Sequence, residues 1–435
     1  MGSYEAVKVR LDPTPRQERL MASHAGAARF AYNAGLAHVK EALDSGEPAD
    51  WSHYALRRWW NANKDELAIN QDTGEVWWSQ NSKEAYSTAL RNLAQGFSNW
   101  SKSRKGQRKG KRVGFPKFKS KNTVMRFAYS ADFTAPTARD PYGLKLPRIG
   151  RVHCMDNVYK RVNGARLIRI TVSRRAGCWY ASLTVEREQS SSPAHASRGV
   201  AVGVDLGVKS LATLSDGTVI PNPRALNTRL KALRKAQQAL SRKVKGGARR
   251  ERAKKHVARL HARVADVRAD AIHKATTMIA RNYSVVCIED LHVAGMVKNR
   301  HLARSLSDAA LGEFRRQLGY KTARSGATLR VVDRWYRSSK TCSKCGSVKA
   351  KLSLSERTYK CDNCGLTMDR DLNAAINICV AGSAPETLNA RGEDVRRNQH
   401  TVGNADLGEA RTKQSPTGGV RLGAGLGNEA MRSSV

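Results

Sequence analysis

The chain begins with a strict alternation of apolar and polar residues, Ala6-Val7-Lys8-Val9-Arg10-Leu11, which is typical of a strand with one buried face. A helix is predicted to begin directly after it. Thr14 is placed to cap this helix, Pro15 suits its first position, and Gln17 completes a capping box with Thr14. From there to about residue 100 the apolar spacing is mainly helical.

Residues 122–188 carry a β-rich pattern instead. Two runs, 166–172 and 179–185, flank Arg175-Ala176-Gly177 and predict a β-hairpin. The serine-rich stretch 190–197 that follows predicts a linker.

Beyond Gly199 the pattern predicts a strand, a turn and a second strand, with another turn at Asp216-Gly217. Residues 223–281 are helical and strongly basic, with an interruption at Gly246-Gly247. Strands that first form hairpins and then alternate with helices indicate a mixed α/β sheet.

The rest of this α/β region is predicted as a buried strand ending at Glu289, a helix over about 303–320 and a strand over 328–332. From about Ala381 onward Gly, Asn, Arg and Ser dominate. That composition predicts a disordered tail.

Length and charge narrow the class of protein. A chain of 435 residues is too long for one core, so two or three domains are expected. Lys and Arg number 77 against 37 for Asp and Glu, a formal net charge of +40 that is spread along most of the chain. This excess predicts a nucleic-acid partner, because each neutralised phosphate releases counterions. A basic scaffold that coats RNA stays open as an alternative.

The sequence also predicts a cytoplasmic protein without a membrane partner, associated with the nucleoid when bound to DNA. No secretory pattern follows Met1, and no apolar run approaches the ~18 residues of a membrane span. The four cysteines outside the cluster described below are scattered singly, which is intracellular usage: Cys154, Cys178, Cys287 and Cys379.

Two features of the N-terminal region are candidates for nucleic-acid contact. Residues 102–121 are rich in lysine, and Lys117, Lys119 and Lys121 with interleaved phenylalanines predict a loop that follows phosphates; a solvated linker is the alternative. Six of the eight tryptophans could stack on bases, although the core of a helical bundle is the favoured interpretation: Trp51, Trp59, Trp60, Trp77, Trp78 and Trp100.

The most specific motif is a pair of Cys-x-x-Cys knuckles, Cys342/Cys345 and Cys361/Cys364, separated by fifteen residues. Each pair is followed by a glycine that permits a tight turn. Four thiolates at this spacing predict one tetrahedral zinc ion with a structural role. A redox pair is the less favoured alternative.

Three carboxylates stand at the ends of predicted elements. Asp205 and Glu289 each close a strand-like run, and Asp371 opens a helix-like stretch. Carboxylates among apolar residues are costly without a cation, and Mg²⁺ prefers oxygen ligands. The three therefore predict metal-assisted chemistry. Three arginines close in sequence are candidates for stabilising developing charge: Arg334, Arg337 and Arg370.

Each acid has an alternative. Asp205 could serve only to form a turn, and Asp290 could be the ligand instead of Glu289. Asp369 could be the ligand instead of Asp371, or Asp371 could serve only to cap its helix. Alternation along the strand favours Glu289 as the inward residue. Helical spacing places Asp371 on the small apolar face of its helix.

Together these segments resemble the TnpB family of transposon-associated, RNA-guided DNA nucleases, relatives of the type V CRISPR effectors. The motifs that carry the resemblance are 203–207 (Gly-Val-Asp-Leu-Gly), 288–291, 338–346, 361–365 and 369–378, with weaker similarity at 12–15 and 114–119. The similarity covers about residues 5–380.

The resemblance implies a multidomain α+β fold. An RNase H-like (RuvC) α/β nuclease domain would span 199–380, with a zinc ribbon inserted at 338–367. A β-barrel wedge, formed by 1–12 and 121–190, would be interrupted by a helical recognition lobe at 13–120. A linker (191–198) and a disordered tail (381–435) complete the expected layout.

The resemblance also implies a function. Asp205, Glu289 and Asp371 would be the catalytic acids that hold two Mg²⁺ ions. A guide RNA encoded by the transposon would pair with double-stranded target DNA, and the protein would read a short adjacent motif. A cleavage-dead RNA-guided repressor and a transposase accessory protein are the alternatives; the presence of all three acids favours the nuclease.

Overall fold

The computed structural model describes residues 3–70, 72–121, 124–187, 200–353 and 355–383. Its helices are α1 (Pro15–Asp44), α2 (His53–Leu67), α3 (Lys83–Arg104), α4 (Val158–Val162), α5 (Ala225–Ser241), α6 (Ala248–Asn282), α7 (Val293–Met296), α8 (Ala303–Ala309), α9 (Leu311–Ser325) and α10 (Arg370–Ser383).

The strands form three sheets. They are β1 (Ser3–Asp12), β2 (Arg126–Tyr129), β3 (Gly143–Leu146), β4 (Gly150–Cys154), β5 (Arg166–Arg175), β6 (Cys178–Arg187), β7 (Ala201–Leu206), β8 (Ser210–Leu214), β9 (Val219–Pro221), β10 (Val285–Glu289), β11 (Thr328–Val332), β12 (Thr358–Lys360) and β13 (Thr367–Asp369).

The first sheet is antiparallel, with the order β2-β5-β6-β1-β4-β3. Strand β1 buries Val7, Val9 and Leu11, as its alternation predicts, and pairs with both β6 and β4. Helices α1 to α3 are therefore inserted between strands of a single sheet. The expected closure of this sheet into a barrel stays a prediction.

Two local predictions in this half are confirmed. Thr14 and Gln17 form a reciprocal capping box at the start of α1, with bonds of 3.0 and 3.3 Å. Ala176 and Gly177 both have positive φ (51° and 84°) and join β5 to β6 as a two-residue hairpin turn.

The second sheet has the order β11-β10-β7-β8-β9 and is the predicted mixed α/β sheet. Strands β11, β10 and β7 are parallel, while β8 and β9 return in antiparallel hairpins. One face carries Val202, Val204 and Ile288, which pack into the core beneath α6 and α9. The opposite face, with Gly203 and Cys287, receives α10.

The single helix predicted over about 303–320 is wrong, because the chain breaks at Ala310, where φ is 52°. Asp308, buried in the last turn of α8, explains the break. Its carboxylate accepts from the backbone amides of Leu226 and Asn227 and from Arg268 at 2.9–3.3 Å. These bonds fix α8 against the start of α5, so α9 leaves in a new direction.

The predicted break at Gly246-Gly247 separates α5 from α6. Helix α10 runs on to Ser383, so residues 381–383 of the predicted tail are helical. The rest of that tail and the predicted linker lie outside the described residues. Within the described ranges, no helix combines the length and apolar character needed to cross a bilayer.

Gly203 gives a test of the contact between α10 and the sheet. A Cβ there would overlap the carbonyl oxygen of Ala375 and lie 2.5 Å from the backbone nitrogen of Cys379. We expect Gly203→Ala to lower the free energy of unfolding by about 2–4 kcal/mol, because the helix backbone must move. Chemical denaturation measures this change.

Gly312→Ala is the matched control in α9, since nothing lies within 4 Å of a Cβ built there. It should be neutral or slightly stabilising. Equal stability of the Gly203→Ala and Gly312→Ala variants would contradict the close packing of α10.

Candidate active site and metal centre

Asp205 and Glu289 are neighbours on adjacent parallel strands. Val204 pairs with Ile288 in the register of β7 and β10, so the next residue along each strand is Asp205 and Glu289. Parallel strands lie about 4.8 Å apart and end at the same sheet edge. Both carboxylates therefore lie at the carboxyl edge of this sheet, on the face that receives α10.

Helix α10 brings the third acid to this edge. Two glycines permit its close approach: Gly203, against Ala375, and Gly382, where a Cβ would lie 2.5 Å from the Cys287 sulfur. The helix starts at Arg370, so Asp371 stands in its first turn, one turn before Ala375 on the same face. Ala375 packs against β7 two residues before Asp205, which places Asp371 beside the two strand carboxylates.

The electrostatics of the site reflect this crowding. Burial, then the charges of Glu289 and Asp371, raise the pKa of Asp205 from 3.8 to about 7. Burial also raises the pKa of Glu289, against a hydrogen bond that Ser338 donates to its carboxylate. The carboxylate oxygens of the three acids do not all lie within 4.8 Å of one another. Among the described residues only the ligand atoms of the cysteine cluster lie that close together.

The alternative acids have other partners. Asp290 forms ion pairs with Arg315 and Arg334, and the hydrogen bonds from both guanidinium groups lower its pKa. Asp369 accepts from the backbone amides of Asp371 and Leu372 at 2.8 and 3.2 Å. Asp369 is thus the residue that caps α10, and the carboxylate of Asp371 is not used as the cap.

The three candidate arginines are placed differently. Arg334 is held by Asp290. Arg370 lies 3.3 Å from the Asp371 carboxylate and donates to the carbonyl of Glu356 at 2.9 Å. Arg337 is exposed, and its guanidinium has no partner among the residues that the structure describes. Only Arg370 therefore neutralises part of the acid cluster directly.

The four cysteines come together as predicted, with their sulfur atoms all within 4.8 Å of one another. The sulfur atoms lie 3.6 Å apart in two of the pairs, Cys342 with Cys364 and Cys345 with Cys361. This distance is close to the ~3.8 Å between sulfur atoms in a tetrahedral site with Zn–S bonds of about 2.3 Å. Gly346 and Gly365 adopt the expected positive φ, 73° and 71°. The cluster is able to hold one zinc ion.

Two buried asparagines connect this cluster to α10, a link that the sequence analysis missed. Asn373 accepts from the Ser343 amide at 3.0 Å and donates to the Thr341 carbonyl at 2.7 Å. Asn377 donates to the carbonyls of Ser338 and Thr341 at 2.8 and 2.7 Å. Their amides bind the first cysteine knuckle to the helix that carries Asp371. The available signal was the spacing of two asparagines four positions apart, which places both on one face of a helix otherwise rich in apolar residues.

The lysine-rich loop packs against α1 and α3. Asn33 exchanges two 2.9 Å hydrogen bonds with the backbone of Lys119, whose ammonium lies 3.4 Å from the centre of the Tyr32 ring. Burial, with the nearby charge of Arg126, lowers the pKa of Lys119 to about 8. Lys117 and Lys121 remain exposed, so they are the better placed of the three for phosphate contact.

The N-terminal tryptophans are largely core residues. Trp60 is buried, and four more pack against the same core while partly exposed: Trp51, Trp59, Trp77 and Trp78. Trp100 packs edge-on against Phe115 at 5.0 Å, which ties the lysine-rich loop to α3. Packing is therefore the main role of this group.

Comparison with family models gives three matches. A model described as "Probable transposase" matches residues 182–300, and one described as "Cas12f1-like, TNB domain" matches 312–378. A model described as "Helix-turn-helix domain" matches residues 1–47. In the structure, residues 3–47 form strand β1 and the single long helix α1.

Relatives of similar length are found among known proteins. A Mycobacterium tuberculosis protein named "Putative RNA-guided DNA endonuclease" is 36% identical over 98% of this chain and 95% of its own. One from Streptomyces pristinaespiralis with the same name is 37% identical over 94% and 96%. A solved structure described as "Cryo-EM structure of the Cas12f1-sgRNA-target DNA complex" aligns with 87% of this chain and 99% of its own, at 15% identity and a TM-score of 0.48.

The family resemblance drawn from the sequence motifs is confirmed by this similarity across almost the whole chain. The protein belongs to the TnpB family.

Proposed function

We propose that the protein is an RNA-guided DNA endonuclease associated with a transposon. It hydrolyses phosphodiester bonds of DNA at a site formed by Asp205, Glu289 and Asp371. The observation that supports this most directly is the meeting of the three acids at one sheet edge, where the pKa of Asp205 is raised by burial and by the other two. The names of the relatives favour the same activity.

The donor set suits magnesium. All three side chains offer carboxylate oxygens, the ligands that Mg²⁺ prefers. Among the described residues the Asp205 carboxylate has no hydrogen-bond or ion-pair partner, although the charge of Arg370 acts on it. When bound, two Mg²⁺ ions would activate the attacking water and offset charge on the scissile phosphate. The chain itself orients the ligands: Ser338 holds Glu289, and Arg370 holds Asp371.

The charge of the chain supports a nucleic-acid complex. From Arg224 to Arg263 there are fifteen Lys or Arg residues and only Glu251 as an acid, and this hairpin of α5 and α6 packs mainly on itself beyond Leu233. We propose that the exposed cations, with Lys117 and Lys121, bind phosphates of a guide RNA and of target DNA. Sequence choice then comes from base pairing, and the protein reads only a short adjacent motif.

The domain layout is proposed with it. Residues 199–380 would form the RuvC-like nuclease domain, 338–367 its zinc ribbon, and 13–120 a recognition lobe between the wedge segments 1–12 and 121–190. The insertion of α1 to α3 between strands of the first sheet supports this division.

Asp205→Asn tests the catalytic assignment. We expect guided cleavage with Mg²⁺ to fall by about a thousandfold or more, because an oxygen ligand with its charge is lost. Single-turnover cleavage of target DNA by the purified protein–RNA complex measures it. Asp216→Asn is the control, since Asp216 lies in the β8–β9 turn at the opposite edge and bonds to Tyr283.

The Asp216→Asn variant should cleave within a few-fold of wild type. Undiminished cleavage by Asp205→Asn would refute the site. If the wild-type complex binds guided target DNA strongly without Mg²⁺ but also fails to cleave it, the result would point to the repressor alternative.

The raised pKa of Asp205 predicts a pH-dependent gain of stability in Asp205→Asn without added Mg²⁺. Below pH about 4 the carboxyl is protonated in folded and unfolded states alike. Between pH about 4 and about 7 the unfolded state releases this proton while the folded state keeps it, so stability falls as pH rises and the loss is complete above about 7. The gap from 3.8 to about 7 corresponds to at most ~4 kcal/mol.

We therefore expect Asp205→Asn to stabilise the Mg²⁺-free protein by about 1–3 kcal/mol at pH 8 and by less at pH 5. Thermal unfolding at the two pH values measures the difference. An identical effect at both would contradict the electrostatic origin. A stabilised variant without activity also rules out misfolding as the cause of lost cleavage.

Removal of zinc should impair cleavage through α10. Cys342→Ser is expected to reduce the zinc content from about one ion per chain towards none, because metal binding and folding of the ribbon are coupled. Cleavage should fall with it, since Asn373 and Asn377 bind α10 to this knuckle. Zinc analysis and the cleavage assay are made on one preparation.

Cys178→Ser is the control, because Cys178 lies in β6, away from the cluster. It should retain zinc and cleavage. A zinc-free Cys342→Ser protein with full activity would show that the ribbon does not position Asp371.

A further inference from the structure

Trp335 differs from the buried and half-buried tryptophans described above, since 70% of its surface is exposed. A large aromatic side chain of this kind usually buries 150–250 Å². Arg334 precedes it directly and Arg337 follows two positions later, in the segment that begins after strand β11 ends at Val332. An exposed indole between two arginines is suited to a ligand that is both planar and anionic.

The segment 333–338 is anchored at both ends to the acid site. At its start the Asp290 amide donates to the Val332 carbonyl at 2.9 Å, and Arg334 pairs with Asp290. At its end the buried Ser338 donates to Glu289. Trp335 thus stands on a short bridge between two residues that bond Glu289 and Asp290.

The bridge is fixed from within. The Asp333 side chain accepts from the Trp335 amide at 2.8 Å, and its carbonyl accepts from the Tyr336 amide at 3.1 Å. Tyr336 is half-buried and packs against the cluster of Cys287, Val332 and Ile378, on the face of the sheet that carries α10. Because Tyr336 turns inward to that face, Trp335 is left outward beside it.

The chain length bounds the distance to the acids. Ser338 lies three positions after Trp335, so their Cα atoms are at most about 11 Å apart. Ser338 is in hydrogen-bond contact with Glu289. The indole is therefore within reach of a nucleotide only a few positions from a phosphate held at the acid site.

We propose that Trp335 is a stacking platform for an unpaired base of the DNA strand that enters the acid site, with Arg337 on an adjacent phosphate; the inference rests on the proposed endonuclease function. Arg334 is engaged by Asp290, whereas no partner of the Arg337 guanidinium is found in the described part of the chain. Stacking requires a base outside the duplex and accepts every base, since each has a π-face. That suits a protein whose sequence choice is left to a guide.

Photo-crosslinking tests the contact directly. The Asp205→Asn protein–RNA complex is bound to target DNAs that each carry one 5-iododeoxyuridine, moved stepwise through the region of the cut. We expect crosslinks to Trp335 at one or two adjacent positions, identified by mass spectrometry. The inference is overturned if Trp335 forms no crosslink to DNA at any position. It is also overturned if Trp335 crosslinks to another protein chain instead of to DNA.

A cycle between protein and DNA tests the energetic role. At the crosslinked position an abasic site should slow single-turnover cleavage by wild type about five- to a hundredfold, the range that one stacked base provides. Trp335→Ala should slow cleavage of intact DNA by a similar factor and lose nothing more on abasic DNA. If the rate losses from Trp335→Ala and from the abasic site are additive, Trp335 has only a structural role and the proposal is overturned.

Trp335→Phe keeps an aromatic face and should retain most of the rate, which guards against a general folding effect. Tyr54→Ala, at a 70% exposed aromatic of α2, should keep the full response to the abasic site. The two hypotheses fail separately. Cleavage by Asp205→Asn would refute the endonuclease site, whereas crosslinking to Trp335 requires no cleavage at all.

Discussion

The site depends on direct backbone contact between α10 and the second sheet. Side chains normally separate a helix from the sheet on which it packs, but Gly203 and Gly382 carry none at the two crossing points. Only this approach allows a carboxylate from the first turn of α10 to reach two carboxylates on adjacent strands. The glycine at 203 is thus part of the site, although it carries no chemistry.

That geometry concentrates like charge. Asp205 has a pKa raised to about 7, and of the nearby arginines only Arg370 pairs with a member of the trio. Arg315 and Arg334 are held instead by Asp290, on the other side of the strand end. Among the described residues Arg370 offsets only part of the negative charge at Asp205, and in the proposed function divalent ions would offset the rest. This is a local conflict that costs stability in the absence of metal.

Much of this arrangement follows from local sequence rules. The capping box at Thr14, the hairpin turn at Ala176-Gly177 and the cysteine knuckles were predictable because a few adjacent residues determine each. The strand end at Glu289 followed from an apolar run of the right length, and the end predicted at Asp205 lies one residue before the observed end at Leu206. What these predictions share is that no distant partner is needed to form the element.

The missed features need partners far away in the chain. The break at Ala310 arises because Asp308 bonds the start of α5 and Arg268, which lie 82 and 40 positions away in sequence, respectively. Ser338 meets Glu289 across 49 positions, and Asn377 meets Ser338 across 39. No periodicity reports such contacts, since a serine or asparagine has the same local preferences whether or not a partner exists.

The same long-range bonds explain why the segment with the four cysteines lies beside the acid site. The chain leaves β11, crosses the edge with Glu289 at Ser338, forms the knuckles and returns through β13 into α10. Both ends of the inserted unit are therefore bonded to the acid site, one through Ser338 and the other through Asp371 itself. If a metal ion closes the loop between these ends, it would limit how far Asp371 can move relative to Glu289. A zinc ion held by the four cysteines would in this way restrict the separation of two of the three acids without contacting them.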